Sequence, residues 1–130
     1  MGIIKGKYMS GRIVYVNGNF VNENEAKVSI FDRGFLFADA VYEVTAIIGG
    51  KIIEWDGHIK RLERSLNELD MTMPYSPEYL LTIHRKLIKK NSLEEGLIYL
   101  QISRGEADRD FEYPDKDVKQ TVVLFTQVKS

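Results

Sequence analysis

Residues 32–43 bring together side chains that could position a charged ligand. Asp32, Arg33, Tyr42 and Glu43 fall close to the start of a β-prone run. Carboxylates, a guanidinium group and a phenol can together make the hydrogen bonds that orient a charged substrate. The commoner meaning of such residues is a surface ion pair beside a strand with alternating faces, and the residues alone favour that meaning.

Two further clusters present cations. His58 and Arg61 fall on one turn of an expected helix, and such a cluster usually forms a solvated helix face. Arg104 and Arg109 lie in a charged stretch, residues 104–113, where two guanidinium groups could bind an anion through paired hydrogen bonds. Mixed charges in a flexible loop would explain that stretch equally well.

The composition limits the kinds of partner and compartment. The 130 residues carry a net charge of −1, which gives no general electrostatic attraction to nucleic acid or to an anionic membrane. The sequence has no cysteine, and its 2 histidines are too few for a zinc cluster, so we expect no metal. Residues 1–8 lack the apolar run of a signal peptide or a membrane span. We expect one soluble, cytoplasmic domain that spans residues 1–130.

Turn signals and β-prone runs predict two hairpins followed by two longer strands. Asn17-Gly18 tolerates the positive φ angles of a two-residue turn, and Gly49-Gly50 repeats the signal. The last two strands are separated by residues 104–119, which are charged and should form a long loop. The expected strands are residues 13–16, 19–21, 41–48, 51–53, 97–103 and 121–126.

Two amphipathic helices are expected between the second hairpin and the last strands. Residues 55–69 carry apolar side chains at helical spacing, with Asp56 placed to cap the start. Ser76 caps a second helix that runs to about Lys90. Residues 32–39 fit neither period and are expected to form a short helical turn or loop. This order predicts an α+β fold, in which an antiparallel sheet has two main helices packed on one side.

Four segments carry a family resemblance. They read YVNGNFV at residues 15–21, FDRGFLFADAVYE at 31–43, GHIKRL at 57–62 and QISRG at 101–105. In order and spacing they resemble the N-terminal half of the class IV (fold type IV) aminotransferases, which depend on pyridoxal 5'-phosphate (PLP). Within that family the wording most resembles the D-amino-acid (D-alanine) aminotransferases. Relatives that act on branched-chain amino acids or cleave aminodeoxychorismate share most of the same motifs.

The resemblance implies roles for several residues. Arg61 corresponds to the arginine that holds the cofactor phosphate, and Tyr42 to a tyrosine whose hydroxyl faces the substrate. Arg109 corresponds to the arginine of an Arg-x-His pair that reaches into the partner subunit's site and binds the substrate α-carboxylate, which implies a homodimer. Phe111 stands where the histidine would be and cannot donate a hydrogen bond. The carboxylate site would therefore rest on Arg109 and Tyr42.

The same resemblance implies supporting roles. Glu43, Asp32 and Arg33 match residues that support the site, and we expect them to hold Tyr42 and the neighbouring loop in place. His58 belongs to the motif that contains the phosphate-binding arginine. We expect it to pack or cap near the helix start, without contacting a ligand.

The family's Schiff-base lysine, and the glutamate that protonates the pyridine nitrogen, belong to a larger C-terminal domain that the resemblance places outside this sequence. We therefore assign no catalytic residue within residues 1–130 and expect the isolated chain to be inactive. The parent protein would move an amino group between a D-amino acid and a 2-oxo acid. Three alternatives remain open, namely an aminodeoxychorismate lyase, a branched-chain aminotransferase, and a non-catalytic domain that binds a partner chain or an anionic ligand.

Overall fold

A computed structural model describes residues 11–129 as a six-stranded antiparallel sheet with two main helices, which confirms the α+β class. The strands are β1 (Ile13–Val16), β2 (Asn19–Asn22), β3 (Ala40–Ile48), β4 (Lys51–Ile52), β5 (Glu95–Ser103) and β6 (Thr121–Val128). The helices are α1 (Arg33–Phe37), α2 (Trp55–Glu68) and α3 (Pro77–Lys90), and a 3₁₀ turn covers Glu23–Glu25. The expectation for residues 1–8 lies outside the described residues.

Both expected hairpins are present, and the first is tied to the last strand. The sheet has the strand order β2-β1-β6-β5-β3-β4. Asn17 and Gly18 take φ angles of 46° and 102°, as a two-residue turn requires. The Asn17 side-chain oxygen also accepts the N–H of Val122 at 2.7 Å, and the Asn17 N–H donates to the Val122 carbonyl at 2.9 Å. This residue therefore shapes the turn and docks the hairpin onto β6.

Strand β3 has one face buried beneath the helices and one face exposed. Its burial alternates strictly along the strand, so that Glu43 is buried while Tyr42 and Val44 are exposed. It pairs with β5 along its whole length, and Tyr42 lies opposite Gln101 in that register. Because successive side chains of a strand point to opposite faces, Tyr42 and Glu43 lie on different sides of the sheet.

The core lies between the sheet and the two main helices. Apolar side chains from both helices pack against buried strand residues, and fully burying one such side chain contributes about 1.5–3 kcal/mol. Both helices have 14 residues, and none of the helices in residues 11–129 combines the length and apolarity needed to cross a bilayer. The helix residues at the centre of the core are Ile59, Leu62, Leu66, Leu80, Ile83 and Leu87.

The two long helices begin in different ways. Ser76 caps α3 as expected, since its side-chain oxygen accepts the Tyr79 N–H at 3.1 Å. The expectation that Asp56 caps α2 is wrong. The residue before α2 is Glu54, which takes a left-handed conformation with a φ of 57° and makes no side-chain cap. Asp56 lies inside the first turn, where its negative charge still faces the positive end of the helix dipole.

His84 is buried in the core on α3. Its side chain is 2% exposed, and its Nδ1 atom lies 2.7 Å from the carbonyl oxygen of Leu80. The edge of its ring meets Trp55 at a centroid distance of 4.8 Å. Burial lowers the pKa of His84 to about 4, and the charge of His58 acts in the same direction. The imidazole is therefore neutral near pH 7, with Nδ1 donating to the carbonyl.

We expect His84 to make the fold sensitive to acid. Between pH 6.5 and about 4 the unfolded chain binds a proton that the folded chain does not. The free energy of unfolding should be fully retained above that window and fall by about 3 kcal/mol across it. Urea unfolding of the chain and of His84→Gln, which keeps a donor but does not titrate, measures this loss. Parallel pH profiles for the two proteins would contradict the assignment.

Candidate functional site

Glu43 and Arg61 form a buried, two-pronged ion pair between β3 and α2. The Arg61 Nε donates to Glu43 Oε2 and its Nη2 donates to Oε1, each at 2.8 Å. The Glu43 side chain is 5% exposed, whereas the Arg61 side chain is 53% exposed. The carboxylate thus fixes the plane of the guanidinium group from below, and the outer part of that group faces solvent.

The electrostatics of this pair keep both groups charged. Burial alone would raise the pKa of Glu43, but hydrogen bonds from Arg61 and then from His58 outweigh it, and the pKa lies below its ordinary value. Glu43 in turn raises the pKa of Arg61. Within the described part of the chain, the Nη1 atom of Arg61 makes no hydrogen bond. It is therefore available to an anion.

His58 supports the same carboxylate and does not cap the helix. Its Nδ1 lies 2.8 Å from Glu43 Oε1 and 3.1 Å from the Nη2 atom of Arg61. One nitrogen cannot donate and accept at once, and the shorter contact with a carboxylate favours a proton on Nδ1. The expected packing or capping role is therefore replaced by a hydrogen bond to Glu43.

Tyr42 lies on the open face of the sheet, away from Arg61. Its side chain is 63% exposed, and its ring stacks on Tyr99 at 5.7 Å between centroids. Tyr99 stacks in turn on Phe125 at 4.9 Å and donates its hydroxyl to Gln101 at 2.9 Å. Burial, and then the neighbouring Tyr42, raise the pKa of Tyr99 above its ordinary value. The stack orients the Tyr42 ring and leaves its hydroxyl exposed.

Asp32 and Arg33 are each 3% exposed, so the surface ion pair that composition favoured is wrong. Asp32 caps α1 by accepting the Gly34 N–H at 2.8 Å, and it accepts the Ser103 hydroxyl at 3.0 Å. Arg33 donates to Asp39 at 2.8 Å. The two residues are buried because β5 and the loop after it close over α1.

Asp39 is a structural residue that the sequence motifs did not single out. It accepts hydrogen bonds from Arg33 at 2.8 Å and from Arg104 at 2.7 Å. Burial alone would raise the pKa of Asp39, but the hydrogen bonds from Arg104 and Arg33 outweigh it and lower the pKa. Its position beside two arginines of the family motifs was the available signal. Asp39 therefore joins α1 to the loop that follows β5.

Arg109 lies in the long loop after β5, and its side chain is exposed. Its guanidinium carbon lies 5.0 Å from the centre of the Phe37 ring and 5.4 Å from that of Phe111. The loop is attached to α1 because the Arg33 N–H donates to the Gly105 carbonyl at 2.8 Å. The expected long loop is thus present and anchored at its start.

The predicted site residues therefore form separate groups in the described structure. Glu43 and Arg61 meet on the helix side, so Glu43 holds the arginine and does not hold Tyr42. Asp32 and Arg33 sit beside the loop that carries Arg109. A cavity of about 880 Å³ lies between that loop and the α2–α3 connection, and neither Arg61, Tyr42 nor Arg109 lines it.

We expect Glu43→Gln to lower the free energy of unfolding by about 1–2 kcal/mol, because an amide cannot make the charge-assisted bonds to Arg61 and His58. Glu63 is an exposed carboxylate on the same helix as Arg61, so Glu63→Gln is the matched control and should change stability by less than about 0.5 kcal/mol. Urea unfolding at neutral pH compares the variants. Equal stabilities for the two variants would show that the pair contributes nothing.

Comparison with known proteins agrees with the resemblance in the motifs. A family model described as amino-transferase class IV matches residues 40–129. The D-alanine aminotransferase of Staphylococcus aureus strain MSSA476 is 40% identical over 114 residues, which cover 88% of this chain and 40% of that protein. That of Listeria innocua serovar 6a is 40% identical over 103 residues, or 78% of this chain and 36% of that protein. This chain thus spans about 40% of the length of such relatives.

Solved structures share the fold at lower identity. The Escherichia coli branched-chain amino acid aminotransferase superposes with a TM-score of 0.84 at 19% identity, over 92% of this chain and 40% of that one. The T.th. enzyme of the same name, complexed with N-(5'-phosphopyridoxyl)-L-glutamate, gives 0.81 at 22%, over 92% and 41%. The 4-amino-4-deoxychorismate lyase of Pseudomonas aeruginosa gives 0.70 at 24%, over 90% and 40%. The architecture is therefore common to proteins with different activities.

The match to the family model is the finding that decides membership. It covers β3, both main helices, β5 and β6. It also includes the Glu43–Arg61 pair, Tyr42 and the loop of Arg109. The chain belongs to the class IV aminotransferase family.

Proposed function

We propose that this chain supplies part of the active site of a PLP-dependent transaminase that moves an amino group between a D-amino acid and a 2-oxo acid. The observation that carries the proposal is the exposed Arg61 guanidinium, held from below by Glu43 with one nitrogen free for an anion. The D-amino-acid preference is supported by the identity to D-alanine aminotransferases, which exceeds that to the branched-chain enzymes and the lyase.

Arg61 fits a cofactor phosphate. A planar, permanently charged guanidinium group binds phosphate oxygens through paired N–H donors, and its orientation is already fixed before a ligand arrives. The cofactor would therefore be held without the entropic cost of ordering that side chain. PLP, when bound, supplies an electron sink for the bonds broken at the amino acid α-carbon.

Tyr42 and Arg109 would bind the substrate. The exposed Tyr42 hydroxyl can donate a hydrogen bond to a carboxylate while remaining neutral, and the stack with Tyr99 fixes its ring. Arg109 would bind the α-carboxylate in the site of the partner subunit of a homodimer. Asp32 and Arg33 would act indirectly, by holding the loop that carries Arg109.

We further propose that residues 1–130 form one N-terminal domain and that the lysine that holds the cofactor belongs to a second, C-terminal domain. Every lysine among residues 11–129 is exposed. A fully solvated ammonium group is a poor nucleophile, because burial or a neighbouring cation is what activates such a lysine. The isolated chain should therefore bind anions without transferring amino groups.

The full-length protein that carries these residues should convert D-alanine and 2-oxoglutarate to pyruvate and glutamate. Arg61→Met should weaken PLP binding at least about tenfold, measured by visible absorption of the bound cofactor. Arg64→Met, at an exposed arginine on the same helix, is the matched control and should leave binding unchanged. Equal effects of the two substitutions would remove the role of Arg61. Release of aminobenzoate from aminodeoxychorismate without transamination would establish a lyase instead.

The isolated chain tests the position of the lysine. We expect borohydride reduction of the chain with PLP to give only scattered, substoichiometric labelling, because no described lysine is activated by burial. Peptide mass spectrometry locates the labelled residues. Stoichiometric labelling of a single lysine would place the cofactor-binding lysine in this chain and overturn the proposal.

A further inference from the structure

Arg109 differs from the other arginines of its region in having no carboxylate partner. Arg33 and Arg104 both donate to Asp39. Within residues 11–129, the guanidinium group of Arg109 makes neither an ion pair nor a hydrogen bond, and its contacts are with aromatic rings. All five of its N–H donors are therefore unused in this part of the chain.

Two phenylalanine rings hold this guanidinium group. Its central carbon lies over the Phe37 ring at 5.0 Å and over the Phe111 ring at 5.4 Å, both within the range of a cation–π contact. The two rings also meet each other, with centroids 5.9 Å apart and planes inclined by 55°. The three side chains thus form one packed group, which we call the Arg109 clamp.

The clamp is attached to the buried ionic network beside it. The guanidinium group of Arg33 lies 4.6 Å from the centre of the Phe37 ring, and its Nη1 donates to the carbonyl oxygen of Asp110 at 3.0 Å. Asp110 stands between Arg109 and Phe111 in the chain, so Arg33 fixes the backbone at the centre of the clamp. Arg33 is itself held by Asp39. Both rings are therefore placed from the same buried residue.

We propose that Phe37 and Phe111 are positioning residues that hold Arg109 by ring contacts, so that its N–H edges stay free for the carboxylate of the amino acid substrate. The N–H groups of a guanidinium lie in its plane, and a ring over the guanidinium carbon uses none of them. A hydrogen-bonding side chain at position 111 would instead offer the carboxylate a second donor. The inference rests on the proposed role of Arg109, and it replaces a missing hydrogen bond with an orienting contact.

The contact itself is tested on the chain without any assay of activity. In the NMR spectrum, ring currents should shift the Arg109 side-chain resonances, and Phe111→Leu should move them toward values for a free arginine. Phe111→Tyr should keep them, because an aromatic ring is retained. Phe35 is an exposed phenylalanine on α1, outside the clamp, and Phe35→Leu should leave them unchanged. Unchanged Arg109 resonances in a folded Phe111→Leu protein would overturn the proposal.

The consequence for binding is tested in the full-length protein. Phe111→Leu should raise the KM for D-alanine about two- to five-fold with kcat retained, and Phe111→Tyr should restore the KM. Equal KM values for the Leu variant and the parent would refute the clamp even if transamination is confirmed. If the protein transaminates nothing but the Arg109 resonances respond as expected, the proposed function fails while the clamp stands as an anion site. Acetate titration, followed at the Arg109 Nε resonance, should then show the same weakening in the Leu variant, and no weakening would refute it.

Discussion

Strand β3 turns successive side chains to opposite faces of the sheet, and its pairing with β5 runs without interruption from Ala40–Ser103 to Ile48–Glu95. Glu43 is therefore placed beneath α2, where it meets Arg61, while Tyr42 is placed on the open face. A shift of one residue in this register would bury the phenol and expose the carboxylate. The positions of the other functional side chains follow from this alternation, because α2 and the loop after β5 are both anchored to residues near it.

Two buried carboxylates convert this sheet geometry into fixed side chains. Burial of a carboxylate is unfavourable unless cations and hydrogen bonds compensate for the lost water. Glu43 is bound by Arg61 and His58, and Asp39 by Arg33 and Arg104, although most of these partners lie far apart in the chain. In both cases the hydrogen bonds outweigh desolvation and lower the pKa. The carboxylates hold other residues in place and need not react.

The fold and the specificity of this chain are carried by different parts. The same architecture occurs in branched-chain aminotransferases and in a lyase at identities near 20%, so it does not decide the reaction. The Glu43–Arg61 pair belongs to the rigid sheet and helix. The loop of Arg109 and Phe111 belongs to the connection after β5, where a change of side chain alters binding without altering the core.

Local signals in the amino-acid sequence were enough to predict most of the elements and the family. The Asn17-Gly18 turn, the Ser76 cap and the apolar spacing of the two main helices each act within a few residues, so the hairpins, helices and long strands could be predicted. The motifs around Tyr42 and Arg61 likewise identified the family. The start of α2 was missed because the left-handed conformation of Glu54 depends on how the chain leaves β4.

The pairing of side chains, in contrast, was settled by the packing of distant segments. Asp39 binds Arg104, which is 65 residues away, and the burial of Asp32 and Arg33 depends on how β5 and its loop cover α1. The enclosure of Arg109 by Phe37 and Phe111 likewise joins a helix end to a distant loop. Such contacts follow from strand register and helix docking, which set distances between residues that no local spacing records. Chemistry-bearing residue types could therefore be named in advance, but their partners, burial and charge states could not.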